Sequence, residues 1–66
     1  MNEITRRRVK ANKAIIKVIE DVMNIFPDWR FQQILMNIGI VDGVDRFYEE
    51  PDTTLARTKE TLGLDK

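Results

Sequence analysis

At 66 residues the chain has room for one small domain, read here as 1–66, and its eleven basic and eleven acidic side chains cancel, so no bulk charge draws it to nucleic acid or anionic lipid. It contains no cysteine and no histidine, which excludes a disulfide framework, a thiolate nucleophile and most metal or acid–base chemistry near neutral pH. No apolar stretch suits a membrane span or a signal-peptide core, and the expectation is a cytoplasmic polypeptide with no cofactor and no membrane contact.

The first predicted element is a helix over about residues 3–26. Ile4, Ala11, Ile15, Val18, Val22 and Ile25 recur at 3/4 spacing, and Ile16, Ile19, Met23 and Phe26 form a second row beside them, on a rod about 35 Å long. The combined stripe is wider than a two-stranded coiled-coil seam, and the heptads are too few for a simple zipper. Two adjacent rows can serve two neighbours, one from the same chain and one from a second subunit.

Pro27 ends that helix or bends the chain. Pro27-Asp28 suits the first turn of a second helix over 28–38, with Trp29, Phe31, Ile34, Leu35 and Ile38 at helical spacing and Gly39 as its stop. Residues 39–46 carry an Asp-Gly turn signal at Asp42-Gly43, but a hairpin this short is marginal and the segment reads as a loop. Pro51-Asp52-Thr53-Thr54 opens a third helix with Asp52 or Thr53 as cap. Its apolar line is thin, and Gly63-Leu64 fits a Schellman finish. This short helix is expected to be the least stable element.

The charge sums to zero but is segregated. Residues 1–17 carry a net +5, residues 18–52 a net −6. Arg6, Arg7, Arg8, Lys10, Lys13 and Lys17 form the one basic cluster dense enough for a polyanion, and Arg6, Lys10, Lys13 and Lys17 share a helix flank. No aromatic is interleaved with them to stack on bases, and the acidic middle of the same chain or of a second copy can neutralise them. The plain reading is therefore a solvated or salt-bridged face.

Chemistry is sparse. With serine absent as well, no hydroxyl or thiol nucleophile has an imidazole base, and Gly39, Gly43 and Gly63 match no phosphate loop. The acidic pairs Glu20-Asp21, Asp42 with Asp45, and Glu49-Glu50 with Asp52 lack the ligand density of a calcium loop. Trp29, Arg30, Gln33, Asn37 and Tyr48 are candidates for a partner-binding surface, with Arg30 as carboxylate anchor and Trp29 or Tyr48 as packed hot spot. The plainer alternative pairs Arg30 with Asp45, Glu49 or Glu50 inside the fold.

The segments Pro27-Asp28-Trp29-Arg30-Phe31-Gln32-Gln33-Ile34-Leu35-Met36-Asn37 and Asp45-Arg46-Phe47-Tyr48-Glu49-Glu50-Pro51-Asp52 resemble a pattern found in small proteins encoded by bacteriophages and prophages: a basic amphipathic helix, then Pro-Asp-x-Arg-Phe-Gly-Gln, then Asp-x-Phe-Tyr-x-Glu-Asp. The resemblance covers about residues 6–56. Gln32 stands where that pattern has glycine and Pro51 where it has an acid, so any close packing made by that glycine must differ here. The resemblance implies a phage setting and a bacterial host cytoplasm, and no reaction.

The resulting expectation is an all-α protein with a long amphipathic helix, a Pro-initiated second helix and a short third one, a small bundle completed by self-association. A dimer is favoured, with antiparallel long helices setting basic halves against acidic segments. Its expected function is non-enzymatic: binding of a host protein, such as a defence or nucleic-acid-processing factor. Direct binding of nucleic acid or a nucleotide signal through the basic helix, or a structural role in assembly of a phage particle, are the alternatives.

Overall fold

A computed structural model describes residues 1–64; positions 65 and 66 of the domain lie outside them. Three helices account for the regular structure of the described residues: α1 (Glu3–Ile25), α2 (Phe31–Asn37) and α3 (Pro51–Leu62). There is no strand among them, so 39–46 is a loop as the sequence indicates.

α1 begins where Asn2 Oδ1 accepts the Thr5 amide at 2.8 Å, with Glu3 against the positive end of the helix. It ends one residue before the expected limit, and the Phe26 amide closes on Val22 O. The second helix starts later than the sequence suggests. Pro27-Asp28-Trp29 forms a turn, the Trp29 amide bonds to Phe26 O at 3.1 Å, and Arg30 is the cap. Pro27 therefore makes a corner, not the first helical turn. A proline fits either setting, because both tolerate a missing amide proton.

α2 finishes in a Schellman arrangement. The Gly39 amide reaches Met36 O and the Ile40 amide reaches Leu35 O, with Gly39 at φ 84°. α3 finishes the same way through Gly63 and Leu64, onto Glu60 O and Lys59 O. At its start the cap is Glu50 and Pro51 is the first helical residue, which corrects the expected Asp52 or Thr53 cap. α3, twelve residues long, also exceeds the seven of α2.

α1 and α3 run side by side in the same direction. Arg7 and Arg8 meet Asp52 and Glu50 at one end, while at the other Leu62 joins the core with Val22, Ile34 and Ile38. α2 and the loop carry the chain back between them. Ala11 is buried where α1 passes Leu55 of α3, its small side chain allowing the approach. Val18, Ile19, Trp29 and Ile40 pack around the core.

That core is small. Ala11, Val22, Ile34 and Ile38 are its buried apolar residues, Ile38 at 0% exposure. Each large aliphatic buried in this way contributes roughly 1.5–3 kcal/mol. The first apolar row of α1 faces inward over Ala11, Ile15, Val18 and Val22, while Ile4 and Ile25 at its ends are exposed. The second row is largely uncovered: Ile16, Met23 and Phe26 are exposed and Ile19 is half-buried. No helix of the described residues is long and apolar enough to cross a membrane.

Candidate interaction surface

The loop from Gly39 to Glu50 lacks regular structure but is tied from several sides. Arg57 of α3 donates from Nε to Glu49 Oε2 at 2.9 Å, from Nη2 to Glu49 Oε1 at 2.6 Å, and from Nη1 to the Gly39 carbonyl. Thr54 Oγ1 donates to the same carboxylate. Arg46 bridges the loop internally, from Nη1 to Glu49 Oε2 at 3.2 Å and from Nη2 to Asp42 Oδ2 at 2.7 Å. Asp42 Oδ1 accepts the Val44 amide, Asp45 Oδ1 accepts the Phe47 amide, and the Glu49 amide closes a turn onto Arg46 O.

This network sets the charge states. Charge-assisted bonds from Arg57, with Thr54 and Arg46 adding to them, pull Glu49 from the ordinary 4.5 to about 2. Asp42 is held below the usual carboxylate range by Arg46 and by the Val44 amide. Arg57 and Arg46 are raised in turn, chiefly by their bonds to Glu49 and Asp42. The lone pairs that a cation would need at Asp42 and Asp45 are thus directed at Arg46 and at backbone amides.

Inside the turn between Arg46 and Glu49 stand Phe47 and Tyr48. The two residues are 82% and 89% exposed, with ring centroids 4.9 Å apart in an edge-to-face pair. Tyr48 is among the residues singled out from sequence; Phe47, its partner in the pair, is not. Trp29 is placed differently, since it stacks on Phe26 at 4.1 Å with the rings 6° from parallel, and it packs on the core. Arg30, Gln33 and Asn37 are exposed on or beside α2. The Arg30 amide donates to Gln33 Oε1 at 2.8 Å, so Gln33 serves the helix start. Among the described residues no hydrogen bond, ion pair or ring contact joins Tyr48 to the other four candidates.

The expected pairing of Arg30 with an acid of the loop is not made. Glu49 is taken by Arg46 and Arg57, Glu50 by Arg8, and Asp45 by the Phe47 amide. Arg57 occupies the place assigned to Arg30 because α3 lies against the loop. No spacing in the sequence indicates this, as Arg57 and Gly39 are eighteen positions apart.

The basic cluster divides in two. Arg8 forms a two-pronged pair with Glu50 at 2.8 and 2.9 Å, and Arg7 reaches Asp52 at 3.1 Å. The bond to Glu50 raises Arg8, and Arg8 lowers Glu50. Lys17 pairs along the helix with Asp21 at 3.0 Å, which raises its pKa. Arg6, Lys10 and Lys13 are exposed and make no carboxylate pair among the described residues, and Lys10 lies beside Arg7 at the groove between α1 and α3. The six candidates are therefore not equally available to a polyanion: Arg7 and Arg8 strap α1 to α3, Lys17 is paired along α1, and Arg6, Lys10 and Lys13 are left without a carboxylate.

Compared with known protein families, with curated proteins and with solved structures, the chain matches none.

Proposed function

We propose that this protein acts by binding rather than by catalysis, and that its partner is a protein with an apolar pocket that receives Phe47 and Tyr48. The observation that carries this reading is the display of two adjacent aromatic rings on a loop held by Arg46, Glu49 and Arg57. Leaving such rings in water forfeits the apolar burial they would gain in a core, and they bring about 150–250 Å² each to any interface. A loop already ordered by ion pairs loses little further entropy when docked, which favours affinity. The phage setting implied by the resemblance makes the partner a host protein met in the bacterial cytoplasm, such as a defence or nucleic-acid-processing factor.

The test is capture from host lysate at moderate and high salt, with wild-type protein and the Phe47→Ala/Tyr48→Ala variant. The expected result is a host protein retained at high salt by the wild type and lost by the variant, whose thermal melt is unchanged because the rings touch little else. Capture that survives loss of both rings overturns the reading. Retention that vanishes with salt and with neutralised lysines supports the second reading, nucleic-acid binding. One observation favours that alternative: Arg6, Lys10 and Lys13 lie on one flank without a carboxylate partner among the described residues.

The bundle itself is proposed to be completed by self-association, because so much of the apolar surface of α1 faces outward around so small a core.

A further inference from the structure

The second apolar row of α1 repeats every seven residues. Val9, Ile16 and Met23 occupy one heptad position, and Asn12, Ile19 and Phe26 follow each three residues later. Ile16 is 62% exposed, Met23 45% and Phe26 44%, whereas Val9 and Ile19 are half-buried. Ile16 and Met23 point away from the core, while Ile19 packs against it and Phe26 stacks one ring face on Trp29 and leaves the remainder exposed. At 100° per residue Met23 and Ile16 are turned about 100–120° from Val22, whereas Ile19 and Phe26 are turned only about 40–60° and form the edge of the seam nearest the core.

Too short for a free-standing zipper, such a seam on a helix already held by α3 still fits itself when reversed. In an antiparallel pair one heptad set packs on the other, so a two-fold axis between positions 17 and 18 brings Ile16 onto Ile19 of the second copy, Val9 onto Phe26 and Asn12 onto Met23. The flanking heptad position carries Lys13 and Glu20. The same axis sets Lys13 beside Glu20 of the second copy, and Glu20 beside its Lys13. Lys13 makes no ion pair within the chain among the described residues, and Glu20 meets only Lys17, at 3.9 Å.

We infer that α1 forms an antiparallel homodimer along Val9, Ile16, Ile19, Met23 and Phe26, with its register fixed by reciprocal Lys13–Glu20 pairs. This rests on the self-association reading and supplies its face and direction. The isologous arrangement closes on itself, so it yields a dimer and not a filament. It opposes the basic half of each helix to the Glu20-Asp21 end of the other. Phe47 and Tyr48 play no part in the seam.

Sedimentation equilibrium of the full chain over a concentration series tests it, with circular dichroism confirming helix content. The wild type is expected to dimerise reversibly, and I16K, altered at an exposed position, to stay folded and monomeric. K13E makes both reciprocal pairs repulsive and weakens dimerisation about tenfold. It cannot act by unfolding α1, because it places an acid four residues before Lys17. K13E/E20K restores the wild-type constant. Mixing K13C chains with E20C chains under oxidation is expected to give the mixed disulfide over either homodisulfide. A monomer at every concentration overturns both this interface and the self-association reading. A dimer indifferent to I16K and to the charge exchanges overturns this interface alone and leaves association by another face. Dominant homodisulfides overturn the antiparallel direction.

Discussion

Gly39 and Gly43 both hold the backbone in the left-handed region, at φ 84° and 83°, yet their surroundings differ. A Cβ at Gly39 would lie 2.5 Å from Thr61 Oγ1, whereas at Gly43 it would meet nothing within 4 Å. Gly43→Ala should therefore cost only the conformational penalty, about 1 kcal/mol. Gly39→Ala adds the collision with Thr61 and disturbs the turn whose carbonyl Arg57 grips, so a larger loss of about 2–3 kcal/mol is expected. Urea melts of the two variants read that difference directly. Thr58 presents the opposite opportunity. It is fully buried in α3, and its Oγ1 has no hydrogen-bond partner among the described residues. Thr58→Val keeps the shape and removes the orphaned hydroxyl, so stability should rise by about 1 kcal/mol. An unchanged or lower midpoint would mean that the hydroxyl has a partner after all.

α3 is the element that organises the rest. Its N-terminal turn takes the straps from Arg7 and Arg8, Arg57 and Thr54 hold the loop, and Leu62 enters the core. Arg57→Leu should leave α1 intact while releasing residues 39–49. The expected signature is faster amide exchange and earlier protease cleavage within that loop, with little change in helix content. Much of the element layout was legible because it is local. The 3/4 spacing of Ala11, Ile15, Val18 and Val22 marks α1, Gly39 and Gly63 mark two helix stops, and Asp42-Gly43 marks a turn. Proline was ambiguous: at Pro27 it makes a corner and at Pro51 it opens a helix, and neighbouring residues decide only through contacts that sequence does not list. The loop network was not legible at all. Arg46, Glu49 and Arg57 look like ordinary surface charges until α3 folds back beside the loop, which is why the sequence points to Arg30 as the partner instead. Tyr48 stood out by type as an aromatic among acids, but its exposure follows from the direction in which the tied loop points.

At the scale of the whole molecule, a long helix and a small core are joined largely through carboxylates. Glu49 joins the loop to α3, Asp42 joins the loop to Arg46, and Glu50 joins α1 to the start of α3. All three are held below their ordinary range by arginines, Glu49 at about 2. The folded chain thus binds fewer protons than the unfolded one over the interval between the folded and unfolded values. Stability from these groups is fully present above the unfolded carboxylate value near 4.5, and is lost as pH falls through the folded value. Between neutrality and pH 5 the melting temperature should be nearly flat; below about 4.5 it should fall steadily toward pH 2. Glu50 is paired with the half-exposed Arg8, where solvent screening weakens the coupling, so Glu49 should dominate the slope. Glu49→Gln separates that contribution from general acid expansion. At pH 7 the variant should melt below the wild type, because Arg57 and Arg46 lose their shared carboxylate. At pH 2 the offset should shrink to a small remainder, because the folded carboxyl is then about half protonated and the unfolded one almost wholly so. Parallel curves with a constant offset across the whole range would show that Glu49 does not titrate with unfolding, and that the Arg57 contact is only a matter of shape.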